Sequence, residues 1–483
     1  MPIPKCMSTQ HPDNVNSPFF AAQPELAGED EIKEAFYAFS HLGCDEQMWD
    51  CEGKETDTYV VKKLLTKYSN YFKENELGKD LNLTFRVPNP TVEQAEAKVL
   101  LETLEGIPRS HDSAKLFYKN DNSPIFEVIL PMTSSTQEIN RIYHYYKDFV
   151  AGKEQAKLAD TTIGKWIGNF QPKTINVIPL FESYEHMIGA ADITKEYLKD
   201  KNPEYQRTFL ARSDPAMNYG NITAVILNKI ALIGFAELEK DLKIPIYPII
   251  GAGSAPMRGN LRPTTHMQVS EEYPSAHTFT LQSSFKYDNS PLEVRKAIRD
   301  LRNRQRQAPQ EIEEEATLKV LEPYSTAFRT QVIQLAPHIN EVAQYIPSRR
   351  KRKLHIGLFG YSRDVDGVQL PRAIKFTAAL YSLGIPPELL GIDALEANDI
   401  DLIKKSHIHL ESDVKQAMHF LNPESPFVPA ALPKKLYDLF GDVEVNEEHQ
   451  KSSNQIIKAI NEKRGQGIVE PALNAANIRG FLG

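Results

Sequence analysis

The sequence has few cysteines and no long apolar run, and these two shortages restrict the kinds of protein it can encode. Only three cysteines occur among 483 residues, all of them before residue 52. Such a small, odd number in a long chain argues against a disulfide framework and indicates apolar packing residues. No run of about 18 consecutive apolar residues is present, and the polar N-terminus MPIPKCMSTQHPDN lacks the features of a signal peptide. We therefore expect a cytoplasmic protein that does not span a membrane.

The net charge is small and negative. The chain has 56 Lys and Arg residues against 64 Asp and Glu residues, which gives a net charge of −8. This balance argues against nucleic acid as the main partner. The most basic run, SRRKRK at 348–353, is typical of a solvated surface or a nucleic-acid patch, although it could also overhang the mouth of a barrel because it precedes a predicted strand.

Eight short apolar runs alternate with longer helix-like stretches from about residue 45 onward. The runs are rich in β-branched and aromatic residues, whereas the stretches between them repeat apolar residues every three or four positions. This alternation predicts an α/β protein with a parallel sheet, and eight units favour a closed (β/α)₈ barrel over a doubly wound sheet. The predicted strands are 45–53, 81–88, 126–133, 175–183, 207–214, 244–253, 277–284 and 354–362.

We predict a single catalytic domain over residues 1–483, with its polar chemistry at one end of the barrel. An N-terminal segment at 1–20 would precede the barrel strands, and extra helices would lie at about 290–345 and 370–483. In such a barrel the functional residues gather at the carboxyl ends of the strands, so the residues at those ends should converge. They are Glu52, Arg86, Thr133, Glu182, Asp214, Arg258, Gln282 and Arg363.

Two features of these strand ends indicate particular ligands. Glu182 and Asp214 end consecutive predicted strands, and two carboxylates facing one cavity would repel each other unless a cation compensated them. Their oxygen ligands favour Mg²⁺ or Mn²⁺; the alternative is that each carboxylate caps the helix that follows. The turn GAGSAPMRG at 251–259 lacks the third glycine of a dinucleotide fingerprint, but its glycines and Arg258 suit the binding of an anion.

Several segments together are similar to one enzyme family. MSTQHPDN near the N-terminus, MWDCEGKETD at 48–57, PLFESYEHM at 179–187 and GYSRDVDGVQLPRAI with YSLGIPPELLG at 360–391 resemble archaeal-type phosphoenolpyruvate carboxylase. The resemblance implies a barrel of the phosphoenolpyruvate/pyruvate superfamily type. It implies a reaction in which phosphoenolpyruvate and bicarbonate give oxaloacetate and phosphate. It also implies a requirement for Mg²⁺ or Mn²⁺ and, commonly, a homotetramer.

The resemblance assigns roles to particular residues. His11 on its own is more typical of surface or packing, but it takes the place of the family's essential histidine and is then expected to act as a general base. Glu182 and Asp214 match the family's metal ligands, and the GAGSAPMRG turn is expected to form a mobile cover. The arginines implied to act on the substrate are Arg86, Arg258, Arg363, Arg349 and Arg372.

One departure from the family pattern leaves a gap in this set. Ala252 stands where the longer relatives have the first of two loop arginines, so one phosphate-binding arginine is either missing or supplied from elsewhere. The resemblance also implies a further arginine fourteen residues before Arg363, which falls on Arg349, but Arg350 or Arg372 could equally take that role. Two other functions stay open: a metal-dependent lyase or aldolase that acts on a pyruvate enolate without bicarbonate, and a protein that binds RNA through the SRRKRK run.

Overall fold

A closed barrel of eight parallel strands forms the centre of the protein. The computed structural model describes residues 2–53, 56–351, 363–365 and 367–483. Each strand pairs with its neighbours in chain order and the last pairs with the first, so the predicted (β/α)₈ fold is confirmed. The strands are β1 (Cys6–Ser8), β2 (Glu46–Asp50), β3 (Asn82–Arg86), β4 (Glu127–Leu130), β5 (Asn176–Phe181), β6 (Gln206–Ala211), β7 (Ile246–Gly251) and β8 (Thr278–Leu281).

The barrel begins earlier in the chain than the sequence pattern indicated. Met7 in β1 pairs with Thr280 in β8 and with Glu46 in β2. The prediction that the barrel strands begin at about residue 45 is therefore wrong, because a strand of three residues is too short to show a periodic pattern. The predicted strand at 354–362 lies outside the described residues, and the barrel closes without it.

The barrel interior contains an apolar layer and a charged layer. Near the amino ends of the strands, the fully buried Arg207 pairs with Glu46 at 2.7 Å and with Glu127 at 3.0 Å. Opposite charges in direct contact offset part of the cost of burying them. The apolar layer lies above these ions and consists of Met7, Met48, Ile129, Ile178, Leu180, Phe209, Ala211 and Ile249.

Helices surround the barrel and build a second apolar core beside it. The longest, Glu314–Ala343, contains Pro323 and Pro337. The α-helices are Glu29–Tyr37, Val60–Lys67, Ser69–Glu74, Ala97–Glu105, Ile107–Tyr118, Thr136–His144, Ile163–Ile167, Tyr184–Ile188, Ala190–Leu198, Ser213–Tyr219, Asn221–Leu242, His266–Glu272, Ser283–Tyr287, Pro291–Asn303, Glu314–Ala343, Ala373–Ser382, Ala397–Ser406, Leu410–Met418, Leu432–Phe440, Glu447–Asn461 and Val469–Arg479. Two-stranded hairpins form from Lys157–Leu158 with Thr161–Thr162 and from Arg363–Val365 with Val368–Leu370.

One helix within the described ranges, Asn221–Leu242, is long and apolar enough to cross a membrane. Its most apolar window has a mean hydropathy of 1.5, but 78% of that window is buried inside the protein. Val225 and Leu232 pack into the core around the barrel, while Ile222 and Ile226 pack into the second core. The helix is apolar on both faces because it lies between two cores.

Candidate active site at the carboxyl ends of the strands

A cavity of about 660 Å³ lies where the strands end. It is partly open to solvent, and its wall combines apolar barrel residues such as Met48 and Phe209 with charged residues. The expected convergence of the strand ends is thus observed for most of the predicted residues, and the N-terminal segment adds His11. The predicted residues that line this cavity are His11, Glu52, Arg86, Glu182, Asp214, Arg258, Gln282, Arg349, Arg350 and Arg372.

Two of the predicted strand-end residues do not contribute a described side chain to the cavity. Thr133 is buried behind the wall, and its hydroxyl donates to the carbonyl of Leu130 at 2.8 Å. Arg363 begins a short hairpin strand, and its side chain lies outside the described part of the protein.

His11 reaches the cavity because β1 ends three residues before it. Its ring nitrogen Nδ1 lies 3.0 Å from the hydroxyl oxygen of Thr9. Its backbone carbonyl accepts hydrogen bonds from the amides of Ser283 at 3.1 Å and Asp13 at 3.2 Å. The backbone that carries the imidazole is therefore held on both sides.

Arg86 is anchored by two carboxylates at the ends of β2 and β3. Its guanidinium donates to Asp50 through Nε at 3.0 Å and Nη2 at 2.8 Å, and Nη2 also lies 2.9 Å from Glu52. Burial alone would lower the pKa of Arg86, but Asp50 and Glu52 more than compensate and raise it. A planar fork held in this way presents a permanent positive charge in one orientation.

Glu93 adds a neutral carboxyl group beside this cluster. Burial, and then its contact with Glu52, raises the pKa of Glu93 to about 10, because two carboxylates at close range cannot both ionise. Glu93 therefore holds its proton at neutral pH.

Arg258 lies in the short helical turn Pro256–Arg258 and is almost completely buried. It donates to the carbonyl of Gly483 at 2.8 Å, to Gln282 at 2.5 Å and to the Ser213 hydroxyl at 3.1 Å. Burial lowers the pKa of Arg258, and the nearby Asp13 opposes that change. The expectation of a mobile cover receives no support from this packing, since the turn is held from several directions.

Glu182 and Asp214 both line the cavity and supply oxygen ligands of the kind that Mg²⁺ and Mn²⁺ prefer. One carboxylate oxygen of Glu182 accepts a hydrogen bond from the amide of Met132 at 2.8 Å, which orients the carboxylate. Within the described residues no group of three or more His, Cys, Asp or Glu side chains is placed to hold a metal. Two protein carboxylates nevertheless suit an ion that completes its shell with water and substrate oxygens.

Comparison with known proteins supports the resemblance seen in the sequence motifs. A family model described as phosphoenolpyruvate carboxylase matches residues 3–483. The chain belongs to the phosphoenolpyruvate carboxylase family. It is 58% identical to the phosphoenolpyruvate carboxylase of Methanothermobacter thermautotrophicus and 52% identical to that of Pyrococcus furiosus, and each alignment covers 100% of both chains. The expected enzyme class is thereby confirmed.

The likeness to solved structures is weaker and adds nothing to the observed barrel. A citrate lyase structure from Burkholderia xenovorans is 11% identical, with a TM-score of 0.38 over 68% of this chain and 84% of that chain.

Within this phosphoenolpyruvate carboxylase family member, the arginines considered for the further family position before Arg363 differ sharply in their contacts. Arg350 is fully buried, and its guanidinium lies 2.7 Å from both Glu31 and Glu34. Arg349 donates to backbone carbonyls of the segment that follows His11, at 2.5 and 3.3 Å. Arg350 therefore lines the cavity from within a buried cluster in which two carboxylates compensate its charge.

Arg349 and Arg350 also bear on the RNA hypothesis. Both belong to the basic run at 348–353, yet both direct their guanidinium groups at protein atoms. A nucleic-acid patch needs its cations at the surface. Residues 352 and 353 of the run lie outside the described ranges.

Arg372 precedes the helix Ala373–Ser382 and lines the cavity together with Lys375 from the first turn. Burial lowers the pKa of Lys375, and Glu25 opposes that change. Lys375 is not among the site residues predicted from the sequence, because neither a strand end nor a family motif pointed to it.

Proposed function

We propose that the protein carboxylates phosphoenolpyruvate with bicarbonate and releases oxaloacetate and inorganic phosphate. The observation that carries this proposal is the convergence of His11, the carboxylates of Glu182 and Asp214, and several arginines on one cavity. The full-length relatives named phosphoenolpyruvate carboxylase support the same reaction.

Phosphoenolpyruvate carries a phosphate and a carboxylate, so its binding requires positive charge and directional donors. Arg86, Arg258 and Arg372 supply guanidinium groups along the cavity wall, and we assign the substrate's two anionic groups to them. Arg349 and Arg363 remain further candidates from the family resemblance. Mg²⁺ or Mn²⁺ held by Glu182 and Asp214 would supply positive charge to the phosphate and enol oxygens.

The reaction proceeds in two chemical stages. A bicarbonate oxygen attacks phosphorus and the bond from phosphorus to the enol oxygen breaks, giving carboxyphosphate and the enolate of pyruvate. The surrounding arginines stabilise the negative charge that moves onto the enolate oxygen.

In the second stage His11 takes the carboxyl proton of carboxyphosphate. The bond from carbon to the phosphate oxygen then breaks, and its electron pair leaves with the phosphate. Carbon dioxide forms beside the enolate, whose terminal carbon attacks it to give oxaloacetate. The enolate must react before it is protonated, so the proposed reaction requires that water be kept from the enolate while carbon dioxide forms.

A coupled assay tests the proposal. Malate dehydrogenase and NADH would report oxaloacetate formed from phosphoenolpyruvate and Mg²⁺, with and without bicarbonate. We expect NADH loss that requires bicarbonate and stops on addition of EDTA. Release of pyruvate or another enolate product without any oxaloacetate would refute the carboxylase and support the lyase alternative.

Two further expectations concern the whole protein: the homotetramer is implied by the family resemblance, and the cytoplasmic location is expected from the few cysteines and the polar N-terminus. A homotetramer and a cytoplasmic location remain predictions, and size-exclusion chromatography with light scattering would test the first of them.

A further inference from the structure

The side chain of Thr9 contacts the imidazole of His11. Its hydroxyl oxygen lies 3.0 Å from Nδ1 of His11, within hydrogen-bond distance. Thr9 is completely buried, whereas His11 is only half-buried and faces the cavity. The hydroxyl that contacts the imidazole is therefore shielded from solvent, whereas the His11 residue itself lines the cavity.

The backbone of Thr9 is held by a buried ammonium group. Lys286 donates to the carbonyl of Thr9 at 2.8 Å and to the hydroxyl of Ser8 at 2.9 Å. Its charge is compensated by Glu34 at 3.3 Å, which also pairs with Arg350. All of these side chains are buried, so water does not compete for their contacts.

Further contacts hold the chain on both sides of His11. The amide of Thr9 donates to the carbonyl of Leu281 at 3.0 Å, and Asp13 accepts from the amides of Ser284 at 2.7 Å and Ser254 at 3.1 Å. With the backbone held from residue 9 to residue 13, the orientation of the His11 ring and the position of its proton depend mainly on its side-chain partners.

We propose that Thr9 is a positioning residue for His11: its hydroxyl oxygen accepts the hydrogen bond from Nδ1–H and so keeps the lone pair on Nε2. A neutral imidazole has one nitrogen that donates and one that accepts. With Nδ1 directed at Thr9, Nε2 is the nitrogen that acts on the substrate. Nε2 can accept a proton only if the proton of the neutral imidazole resides on Nδ1. This inference rests on the proposed function, in which His11 takes the proton of carboxyphosphate.

The matched variants Thr9→Val and Thr9→Ser test the role of the hydroxyl. Valine keeps the branched shape and removes the hydroxyl, whereas serine keeps the hydroxyl. Both bicarbonate-dependent phosphate release and oxaloacetate formation should be measured in the full chain. We expect Thr9→Val to lower the ratio of oxaloacetate to phosphate roughly tenfold, about the contribution of one hydrogen bond, and Thr9→Ser to keep the ratio close to that of the wild type.

The ratio distinguishes positioning from a merely structural effect. A loss of folded protein lowers both products together and leaves their ratio unchanged, so an unchanged ratio in Thr9→Val would overturn the inference. A ratio that falls equally in Thr9→Ser would also overturn it, because the hydroxyl is then not the group responsible.

A direct measurement on the unmodified protein covers the case in which Thr9→Val does not fold. Long-range ¹H–¹⁵N NMR spectra of protein labelled at its 13 histidines would report each neutral tautomer, and the His11→Asn variant would assign the signal of His11. We expect the Nδ1–H tautomer, and an Nε2–H tautomer would refute the inference. If the wild-type protein forms no oxaloacetate at all, the proposed function fails while this spectrum still tests the contact with Thr9.

Discussion

Replacing Arg350 with methionine should lower the melting temperature of the protein much more than the same replacement of the neighbouring Lys351. Arg350 is fully buried, and its guanidinium contacts Glu31 and Glu34, both of which are buried as well. Methionine has a similar length but no charge, so the variant leaves these two carboxylates without their shared cation. Breaking a buried ion pair in this way costs about 3–5 kcal/mol.

The structure places the expected cost near the lower limit. Lys286 lies 3.3 Å from Glu34 and continues to compensate part of its charge. We therefore take about 3 kcal/mol. An unfolding entropy of about 2.1 cal/mol/K per residue gives about 1 kcal/mol/K for this chain of 483 residues, so the melting temperature should fall by about 3 °C.

Differential scanning calorimetry at one fixed scan rate would measure the change. The matched control is Lys351→Met, which removes the same charge from an exposed position in the same basic run. We expect the control to melt within about 0.5 °C of the wild type, since exposed substitutions change stability little. Equal shifts in the two variants would show that Arg350 does not hold a buried ion cluster.

Three further predictions concern the cavity. His11→Asn should retain bicarbonate-dependent phosphate release from phosphoenolpyruvate but form almost no oxaloacetate, because the base acts after phosphoryl transfer. Complete loss of phosphate release would show that His11 is already needed for phosphoryl transfer and that the proposed step is wrong. Glu182→Gln and Asp214→Asn should raise the Mg²⁺ concentration needed for half-maximal activity by roughly tenfold or more, and unchanged metal dependence in both would exclude them as ligands. Because the pKa of Glu93 is raised to about 10 from an ordinary 4.5, the unfolded chain releases this proton at a lower pH than the folded protein. The free energy of unfolding of the wild type should therefore fall as the pH rises from 4.5 to about 10. The melting temperature of Glu93→Gln should rise relative to that of the wild type between pH 5 and pH 9. A difference in melting temperature that stays constant across this range would contradict the assignment.

Much of the barrel is predictable because its strands are buried on both faces. Strands such as Asn176–Phe181 and Ile246–Gly251 read as continuous apolar runs, and this pattern is characteristic of parallel sheets. Strand β1 differs because it has only three residues, Cys6–Ser8, and its position depends on pairing with β8, far away in the chain. Long-range pairing of so short a segment leaves no local pattern in the sequence.

The candidate site was predictable as a set of residues but not as a network of contacts. The rule that strand ends converge places Glu182, Asp214 and Arg258 around one cavity, as observed. The rule does not show which contacts an arginine makes: Arg350 lines the same cavity but is held in a buried ion cluster with Glu31 and Glu34. It also cannot find Thr9, although residues two apart on an extended chain lie on the same side, and this spacing relates Thr9 to His11.

The packing around Ala252 bears on which residue could supply the positive charge that the first loop arginine provides in the longer relatives. Ala252 is completely buried, and a Cβ atom added at Gly259 would lie only 2.9 Å from the Cβ atom of Ala252. Gly259 has a φ of 117°, so the turn depends on a residue without a side chain at that point. An arginine side chain at 252 would have to displace this backbone, so we expect any cation that takes its place to come from another element. Arg372 and Lys375 both line the cavity from the start of the helix Ala373–Ser382, where the amino end of the helix also favours an anion.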